Sequence, residues 1–316
     1  MAHSDPLDGK LVLLLGGSGM VGTHVAQELL ARGARLRVAS RHPKRGFNLR
    51  PLANLGQIQF VGCDVTKPHT IAPVVAGVDA VVYLVGAFTG DLEAVHVRGA
   101  EAAAQAARNA GASAFVHISA LGADAESPVA YARTKAAGEA AVRAAFPTAT
   151  ILRPAILAGD DDHFINKFAG LIASLPVIPI FAPHAKLQPL FIDDAAQAVA
   201  QALADPATHG SKTYEIAGPE AIDVATLNRR IAAAQERERK FIELSDGLAG
   251  VLAALPGIPI SRDQLKLLQA GSVPSGQVPG IEALGITPRP LSLFLDRWMV
   301  RYRKLGRFGA APKTTA

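Results

Sequence analysis

Glycines at positions 16, 19 and 22 follow a short apolar run in Leu11-Val-Leu-Leu-Leu-Gly-Gly-Ser-Gly-Met-Val-Gly22. The apolar run is typical of a strand buried on both faces of a parallel sheet, and residues 23–32 continue with helix-forming residues. Gly16 permits a tight turn, Gly19 lets the backbone approach a pyrophosphate, and Gly22 lets helix and strand pack closely. The helix N-terminus then offers N–H groups and a positive dipole end. The stretch predicts a dinucleotide-binding turn, against the alternative of a purely structural glycine turn.

The composition is that of an ordinary globular protein. At 316 residues the chain is long enough for a nucleotide domain with a smaller lobe, and 49% of its residues are hydrophobic. Cys63 is the only cysteine, which excludes an internal disulfide, and no Cys/His cluster has zinc-ligand spacing. We therefore expect a reducing, cytoplasmic location and no metal.

The net charge of +5 favours an anionic cofactor, membrane surface or partner, although a solvated basic surface is the simpler interpretation. Nucleic-acid binding is disfavoured because no aromatic residues are interleaved with the basic ones. The longest apolar region, residues 171–183, is broken by three prolines and does not reach the roughly 20 residues of a spanning helix. The N-terminus has no secretory-signal pattern.

Apolar strand-like runs alternate with helical patterns in the first half of the chain, which predicts an α/β protein with a doubly wound parallel sheet, or Rossmann fold. The predicted strands are Leu11–Leu15, Arg35–Ala39, Ile58–Val61, Ala80–Val85, Ala114–Ile118 and Thr150–Leu152, with a late strand at Tyr214–Ala217. The predicted helices are Met20–Arg32, Pro51–Leu55, Ile71–Val75, Leu92–Ala110 and Ala130–Ala145.

The alternation gives way to proline-rich apolar segments from about residue 160, which predicts a second, smaller lobe. We expect a Rossmann domain over 8–159, completed by about 190–217, a substrate or partner lobe over 160–189 and 218–309, and a flexible tail over 310–316. Predicted helices in the lobe lie near Val224–Arg237, Asp246–Leu255, Asp263–Ala270 and Ser292–Lys304.

The last of these helices, Ser292–Lys304, combines apolar and aromatic residues with basic ones. That composition is typical of an amphipathic helix lying on an anionic membrane or an acidic partner. The alternative is a terminal helix that packs onto its own lobe.

Tyr131 and Lys135 lie at i and i+4 of the helix after the fifth strand, so their side chains share one face. Together with the glycine turn, this Y-x-x-x-K pair resembles the short-chain dehydrogenase/reductase family. The resemblance implies that the lysine holds the nicotinamide ribose and lowers the pKa of the tyrosine, which exchanges a proton during hydride transfer. The alternative is a half-buried tyrosine beside a solvated lysine.

The family places a catalytic hydroxyl just beyond the fifth strand. If Ser119 matches the first serine of the usual Ser-Ser pair, the catalytic position is Ala120, so cofactor binding is better supported than turnover. A hydroxyl from elsewhere, such as that of Ser127, would restore the enzyme interpretation.

Cofactor choice depends on the residues after the second strand, where NAD-selective members carry an acid. Ser40 and Arg41 stand there instead, and both suit a 2′-phosphate, so we predict NADP(H) in preference to NAD(H). The alternative is a solvated basic loop. Through the resemblance, the cofactor-binding residues are Gly16, Ser18, Gly19, Met20, Val21, Gly22, Ser40, Arg41, Asp64, Val65, Val85, Gly86, Ser119, Tyr131, Lys135, Pro154 and Ile156.

A narrower resemblance covers residues 10 to 307. The matching segments are Asn54-Leu-Gly-Gln-Ile-Gln59, His117-Ile-Ser-Ala-Leu-Gly-Ala-Asp124, Asp162-His-Phe-Ile-Asn-Lys-Phe-Ala169, Leu284-Gly-Ile-Thr-Pro288 and Arg301-Tyr-Arg-Lys-Leu-Gly306. They resemble the atypical subfamily that contains the nucleotide-binding accessory subunit of respiratory complex I and its bacterial homologues.

This narrower resemblance implies a tightly held NADP(H) with a structural role and a membrane-associated respiratory complex as partner. The chain would then lie peripherally on the inner face of the membrane. No mitochondrial presequence is recognisable, which favours a bacterial homologue or a mature form. The alternative is an NADP-dependent reductase of a small carbonyl or lipophilic quinone-like substrate, with Tyr131 as proton donor. Sugar-nucleotide epimerisation is a weaker third interpretation.

Overall fold

Seven parallel strands form the central sheet of the computed structural model, which describes residues 5–254, 260–304 and 306. In chain order the strands are β1 (Leu11–Leu15), β2 (Arg35–Ser40), β3 (Ile58–Gly62), β4 (Ala80–Tyr83), β5 (Ala114–Ile118), β6 (Thr150–Pro154) and β7 (Thr213–Ile216). Their order across the sheet is β7-β6-β5-β4-β1-β2-β3. The direction of winding therefore reverses between β1 and β4, which is where doubly wound folds bind ligands.

The described residues form the helices α1 (Met20–Ala31), α2 (Ile71–Val75), α3 (Gly99–Asn109), α4 (Ala130–Ala145), α5 (Ile165–Ser174), α6 (Ile192–Ala204), α7 (Pro206–His209), α8 (Val224–Ala234), α9 (Asp246–Leu252), α10 (Arg262–Ala270) and α11 (Leu295–Met299). Helices α1, α2, α3, α4 and α6 cover the two faces of the central sheet. Helices α2, α3 and α4 pack on the face that carries Leu13 and Leu15, while α1 and α6 pack together on the other. β1 is accordingly buried on both sides, as its unbroken apolar run predicts.

The described residues divide into two compact units. Unit 1 lies within Met1–Pro154, Ile192–Ile216 and Pro274–Thr287, and it contains the central sheet. Unit 2 lies within Ala155–Phe191, Ala217–Val273 and Pro288–Ala316. No helix in the described ranges is long and apolar enough to cross a membrane.

Unit 2 is built from α5, α8, α9, α10 and α11 around its own apolar core. It also holds three short strand pairs, which are Leu157–Ala158 with Leu190–Phe191, Lys186–Leu187 with Ile222–Asp223, and Val177–Ile180 with Lys240–Glu243.

Two predicted elements of unit 1 differ in the structure. The helix predicted at Pro51–Leu55 is wrong, because a 3₁₀ helix occupies Pro43–Leu52 instead and begins at a proline that suits a first helical turn. The helix predicted at Leu92–Ala110 has π geometry over Ala94–Arg98 before α3 begins.

The predicted closing helix, Ser292–Lys304, is also wrong as one continuous helix. A 3₁₀ turn at Leu291–Leu293 precedes α11, and a second 3₁₀ turn at Val300–Tyr302 follows it. Met299 is fully buried in unit 2 and Trp298 packs against the same core. The tail predicted over 310–316 lies outside the described residues.

Two arginines of this closing segment bond within unit 2. Arg301 donates to Asn166 Oδ1 at 2.6 Å and to the carbonyl of Asp160, and Arg303 forms an ion pair with Glu236 at 3.0 Å. These contacts favour the alternative of a terminal segment packed onto its own lobe.

We predict that Gly22→Ala lowers the free energy of unfolding, because a Cβ there would lie 2.5 Å from Gly17 Cα and the backbone would have to shift. Overpacking of this kind costs about 1–3 kcal/mol. Gly170→Ala is the matched control, since it also lies in a helix and its Cβ would meet no atom within 4 Å. Chemical denaturation of both variants checks the prediction, and equal stabilities would contradict it.

Candidate functional site

The glycine turn joins β1 to α1 at the reversal of the sheet. Gly16 has φ +86°, and a Cβ there would lie 3.1 Å from Val85 Cγ2 and 3.2 Å from its nitrogen, so the turn touches the residues that follow β4. Gly19 is the N-cap of α1, and a Cβ there would meet only the Gly16 oxygen at 3.4 Å. The outer side of Gly19 is thus open next to the helix N-terminus, as pyrophosphate binding requires.

Three further residues of the turn, Ser18, Met20 and Val21, are half-buried around the N-terminus of α1. Gly17 was missed by the sequence analysis. A Cβ at Gly17 would lie 2.7 Å from Leu14 Cβ, so this position needs glycine for packing.

The adenosine side of the predicted site lies after β2 and β3. Ser40 ends β2, and its Oγ is buried with no hydrogen-bond partner within the described residues, whereas Arg41 is exposed. A buried hydroxyl without a partner is costly, so a polar ligand group at this point fits the structure. Ser40 and Arg41 are therefore suited to a ribose hydroxyl or its phosphate.

Asp64 and Val65 follow β3, as predicted, but the carboxylate of Asp64 already has partners. It accepts from the nitrogen and the hydroxyl of Thr66 at 3.1 and 2.8 Å. The Thr66 hydrogen bond lowers the pKa of Asp64, and Lys67 and Arg41 contribute in the same direction. Asp64 thus stabilises its own turn, and its predicted contact with adenine stays a prediction.

Lys135 extends from α4 to the C-terminal edge of β4 and β5. The side chain is 4% exposed, and its Nζ donates to the Ile118 carbonyl at 3.0 Å. A Cβ on Gly86 would lie 3.6 Å from the same Nζ. Burial lowers the pKa of Lys135 to about 8, with the charge of Glu139 opposing the shift. The structure therefore places an ammonium group beside the predicted cofactor residue Gly86.

Tyr131 lies one helical turn before Lys135 and is enclosed by aromatic rings. Its ring stacks on Phe88 at 4.5 Å and meets the edge of His96 at 5.5 Å, while Lys135 Nζ is 5.9 Å from the ring centroid. Burial raises the pKa of Tyr131 to about 12. The expectation that Lys135 lowers this pKa is wrong in the structure, because desolvation of the phenol dominates.

His96 was missed by the sequence analysis. Its Nε2 accepts from the backbone N–H of Ala87 at 3.1 Å, so Nδ1 carries the proton and donates to Thr134 Oγ1 at 2.8 Å. Burial lowers the pKa of His96 to about 4. A neutral imidazole thus links the segment after β4 to α4 behind Tyr131, and an isolated histidine in a helical pattern carried no signal of this role.

Ser119, a predicted cofactor residue, has a hydrogen-bond partner for its hydroxyl within unit 1. Its Oγ donates to Glu139 Oε1 at 2.5 Å, and Arg153 donates to both oxygens of Glu139 at 2.8 Å each. Arg153 also lies 3.6 Å from Glu215. This buried ion network thus engages the Ser119 hydroxyl, and the binding of the cofactor by Ser119 stays a prediction.

No replacement for the family's second serine is evident among the positions that the sequence singled out. Ala120 has no hydroxyl, and Ser127 Oγ accepts from the backbone of Val129 at 3.2 Å, next to the start of α4. Pro154 ends β6 in unit 1, whereas Ile156 belongs to unit 2. The role of Ile156 stays a prediction.

The C-terminal edge of β1, β4 and β5 thus brings together the glycine turn, Gly86, Lys135 and Tyr131. These residues fit a nicotinamide dinucleotide, with N–H groups and an open glycine for the pyrophosphate and an ammonium group for a ribose. The fit rests on the chemistry of these groups and on the buried Ser40 hydroxyl.

A family model described as NAD(P)H-binding matches residues 16–168. The 40 kDa subunit of NADH-ubiquinone oxidoreductase from Neurospora crassa is 26% identical over 317 residues, which cover 98% of this chain and 84% of that protein. Ceramide reductase from Caulobacter vibrioides is 32% identical over 190 residues, which cover 59% of this chain and 58% of that protein.

Among solved structures, the NADPH-dependent quinone oxidoreductase QOR2 of Escherichia coli, in complex with NADPH, has a TM-score of 0.72. Its sequence identity is 19%, and the match covers 90% of this chain and 99% of that one. At this identity the likeness shows a common fold.

We predict that His96 makes the protein less stable in acid. Because its pKa falls from 6.5 to about 4 on folding, the unfolded chain binds the proton first. The contribution of His96 to the free energy of unfolding is therefore fully present above pH 6.5. It decreases by about 3 kcal/mol as the pH falls from 6.5 toward 4.

Denaturation curves between pH 4 and pH 7 check this prediction. The buried His117 contributes in the same direction, so the decisive quantity is the difference between the wild type and His96→Gln, which keeps an acceptor for Ala87. The exposed His69→Gln is the control. A pH dependence that His96→Gln leaves unchanged would contradict the prediction.

Proposed function

Because this chain belongs to the atypical and extended short-chain dehydrogenase/reductases, an NAD(P)-binding Rossmann family, we propose that it holds NADP(H) chiefly for structure or regulation. The observation that carries the proposal is the buried ammonium of Lys135 beside Gly86, at the strand edge that also bears the glycine turn. A buried cation at a fixed point is suited to hold a ribose hydroxyl through charge-assisted hydrogen bonds.

Each part of the nucleotide has proposed ligands in this arrangement. Ser18, Gly19, Met20 and Val21 surround the pyrophosphate, while Gly16 and Gly22 shape the turn. Ser40 and Arg41 hold the 2′-phosphate, and Asp64 and Val65 line the adenine. Val85, Gly86, Tyr131, Lys135, Pro154 and Ile156 surround the nicotinamide ribose and ring.

An accessory role is supported by the hydroxyl groups of the site. Ala120 has none, and that of Ser119 is committed to Glu139. The phenol of Tyr131 therefore has no neighbouring hydroxyl from these positions to share the binding of a reacting oxygen. We propose that the C-terminal lobe faces a membrane-associated respiratory complex, which agrees with the name of the Neurospora relative. The chain would then be peripheral on the inner face of the membrane.

The second candidate is an NADP-dependent reductase of a lipophilic carbonyl compound. The raised pKa of Tyr131 favours it, because a phenol that keeps its proton is suited to donate it. The Caulobacter relative, named a ceramide reductase, agrees with a lipophilic substrate. When bound, NADPH supplies the hydride; Tyr131 donates its proton to the substrate oxygen, and Lys135 keeps the ribose in place.

We predict that NADPH binds more tightly than NADH and that Arg41→Asp reverses or removes this preference. The guanidinium attracts the additional phosphate, whereas a carboxylate repels it and accepts from the ribose hydroxyls. Titrations of both nucleotides against both proteins measure the effect. Equal affinity of the unaltered protein for the two nucleotides would contradict the assignment of Arg41.

We predict that Lys135→Met weakens NADPH binding about ten- to a hundredfold, while Tyr131→Phe leaves it nearly unchanged. Loss of a charge-assisted hydrogen bond is worth about 1.5–3 kcal/mol, whereas the phenol acts in proton transfer. Melting temperatures of both variants control for folding. Small, equal effects on affinity would show that the pair lies outside the nucleotide site.

The choice between the two candidates depends on whether the hydride leaves. The protein is first loaded with NADPH and then mixed with each of a panel of lipophilic carbonyl compounds and quinones. The absorbance of the reduced nicotinamide is followed by stopped flow. An accessory role predicts no oxidation on the timescale of enzymatic turnover. Oxidation that Tyr131→Phe abolishes would establish the reductase.

A further inference from the structure

One edge of unit 1 is strongly basic. Between Glu28 and Asp64 the chain has seven Lys and Arg residues and no acidic residue. This stretch contains β2, the outermost strand β3 and the 3₁₀ helix Pro43–Leu52 that connects them. Three of the seven, Lys44, Arg45 and Arg50, lie within residues 43–57, which we call the basic edge.

The basic side chains of this edge are held outward by a packed framework. A 3₁₀ helix has three residues per turn, so Gly46 and Leu49 share its buried face. A Cβ at Gly46 would lie 2.9 Å from the ring of Phe60, so the helix packs directly on β3. Arg50 stacks on Phe47 at 3.6 Å.

Lys44 and Arg45 project from the same helix. Both are exposed, and neither side chain has a hydrogen bond or ion pair within the described residues. Their charges therefore serve no contact of the fold, and they are free to attract an anionic surface.

Two leucines protrude at the C-terminal end of the same segment. Leu52 is 48% exposed and Leu55 is 107% exposed. Leu55 lies in the turn Asn54–Gln57, which is closed by a bond of 3.0 Å from the Gln57 nitrogen to the Asn54 carbonyl. The Gln57 side chain accepts from the Asn54 nitrogen and donates to the carbonyls of Leu30 and Ala34.

Leu55 thus lies in a turn that hydrogen bonds attach to the end of α1. A fully exposed leucine adds nothing to the core of its own domain, and a fixed turn keeps it from folding back. Protruding leucines and unpaired basic side chains in one segment match the interfacial region of a bilayer. In that region apolar groups enter between headgroups, and Lys and Arg side chains meet lipid phosphates.

We propose that the basic edge binds the surface of an anionic lipid bilayer, with Leu52 and Leu55 entering the headgroup region and Lys44 and Arg45 facing lipid phosphates. A bilayer fits better than an acidic protein, because Leu55 protrudes fully from its turn instead of lining a groove. The proposal goes beyond nucleotide binding and does not depend on it.

The test is flotation of the full chain with phosphatidylcholine vesicles, with and without phosphatidylglycerol, at low and high salt. We expect binding only to the vesicles that contain phosphatidylglycerol, and we expect high salt to weaken it. The double variant Lys44→Glu, Arg45→Glu should bind at least about tenfold more weakly. Leu55→Ser should reduce binding about five- to tenfold at constant charge.

Matched controls come from exposed residues of unit 2. Arg262→Glu with Lys266→Glu repeats the charge change on α10, and Leu248→Ser repeats the apolar change on α9, where the leucine is 50% exposed. These variants should bind vesicles like the unaltered protein. Unchanged melting temperatures confirm that every variant is folded, and emission of Leu55→Trp should shift to the blue when phosphatidylglycerol vesicles are added.

Three results would overturn the proposal. One is no preference for phosphatidylglycerol at low salt, including the case in which the chain binds a soluble acidic polypeptide instead. Another is an equal loss of binding in the basic-edge and control variants. The third is displacement of the protein from vesicles by saturating NADP. This result would show that Lys44 and Arg45 belong to the nucleotide site.

Discussion

The candidate site depends on the buried carboxylate of Glu139. It accepts hydrogen bonds from Ser119 and from two nitrogens of Arg153, and it lies one helical turn after Lys135. A buried charge that loses such a partner typically costs about 3–5 kcal/mol, so this face of α4 can be buried only when these partners are in place. The network therefore holds α4 against β5 and β6, and the same placement brings Lys135 Nζ to the carbonyl of Ile118.

Burial shifts the pKa values of Tyr131 and Lys135, the two functional side chains of α4, in opposite directions. It disfavours the charged form of each group, so it raises the pKa of Tyr131 to about 12 and lowers that of Lys135 to about 8. Glu139 limits the second shift by favouring the ammonium form. Near neutral pH the site thus combines a protonated phenol with a cation, which suits nucleotide binding and proton donation better than proton abstraction.

Basic residues have different roles in the two units because their partners differ. The composition of the closing segment fitted a membrane-binding helix as well as a terminal helix packed onto its own lobe, and in the structure Arg301 and Arg303 bond to groups of unit 2. Lys44 and Arg45 have no such partners within the described residues, although no helical amphipathic pattern marks them. A charge is available to an external surface only when the fold leaves it unpaired, and composition alone does not report that.

Local sequence patterns determined the strands, α1, α4 and the shared face of Tyr131 and Lys135, because glycine spacing and hydrophobic periodicity act over a few neighbouring residues. The glycine turn and the Tyr131–Lys135 pair were also sufficient to indicate the resemblance to the short-chain dehydrogenase/reductase family. The tertiary structure decided that Ser119 pairs with Glu139, that His96 supports α4, and that the pKa of Tyr131 rises. Each of these depends on burial and on contacts between residues distant in the chain, which no local pattern encodes.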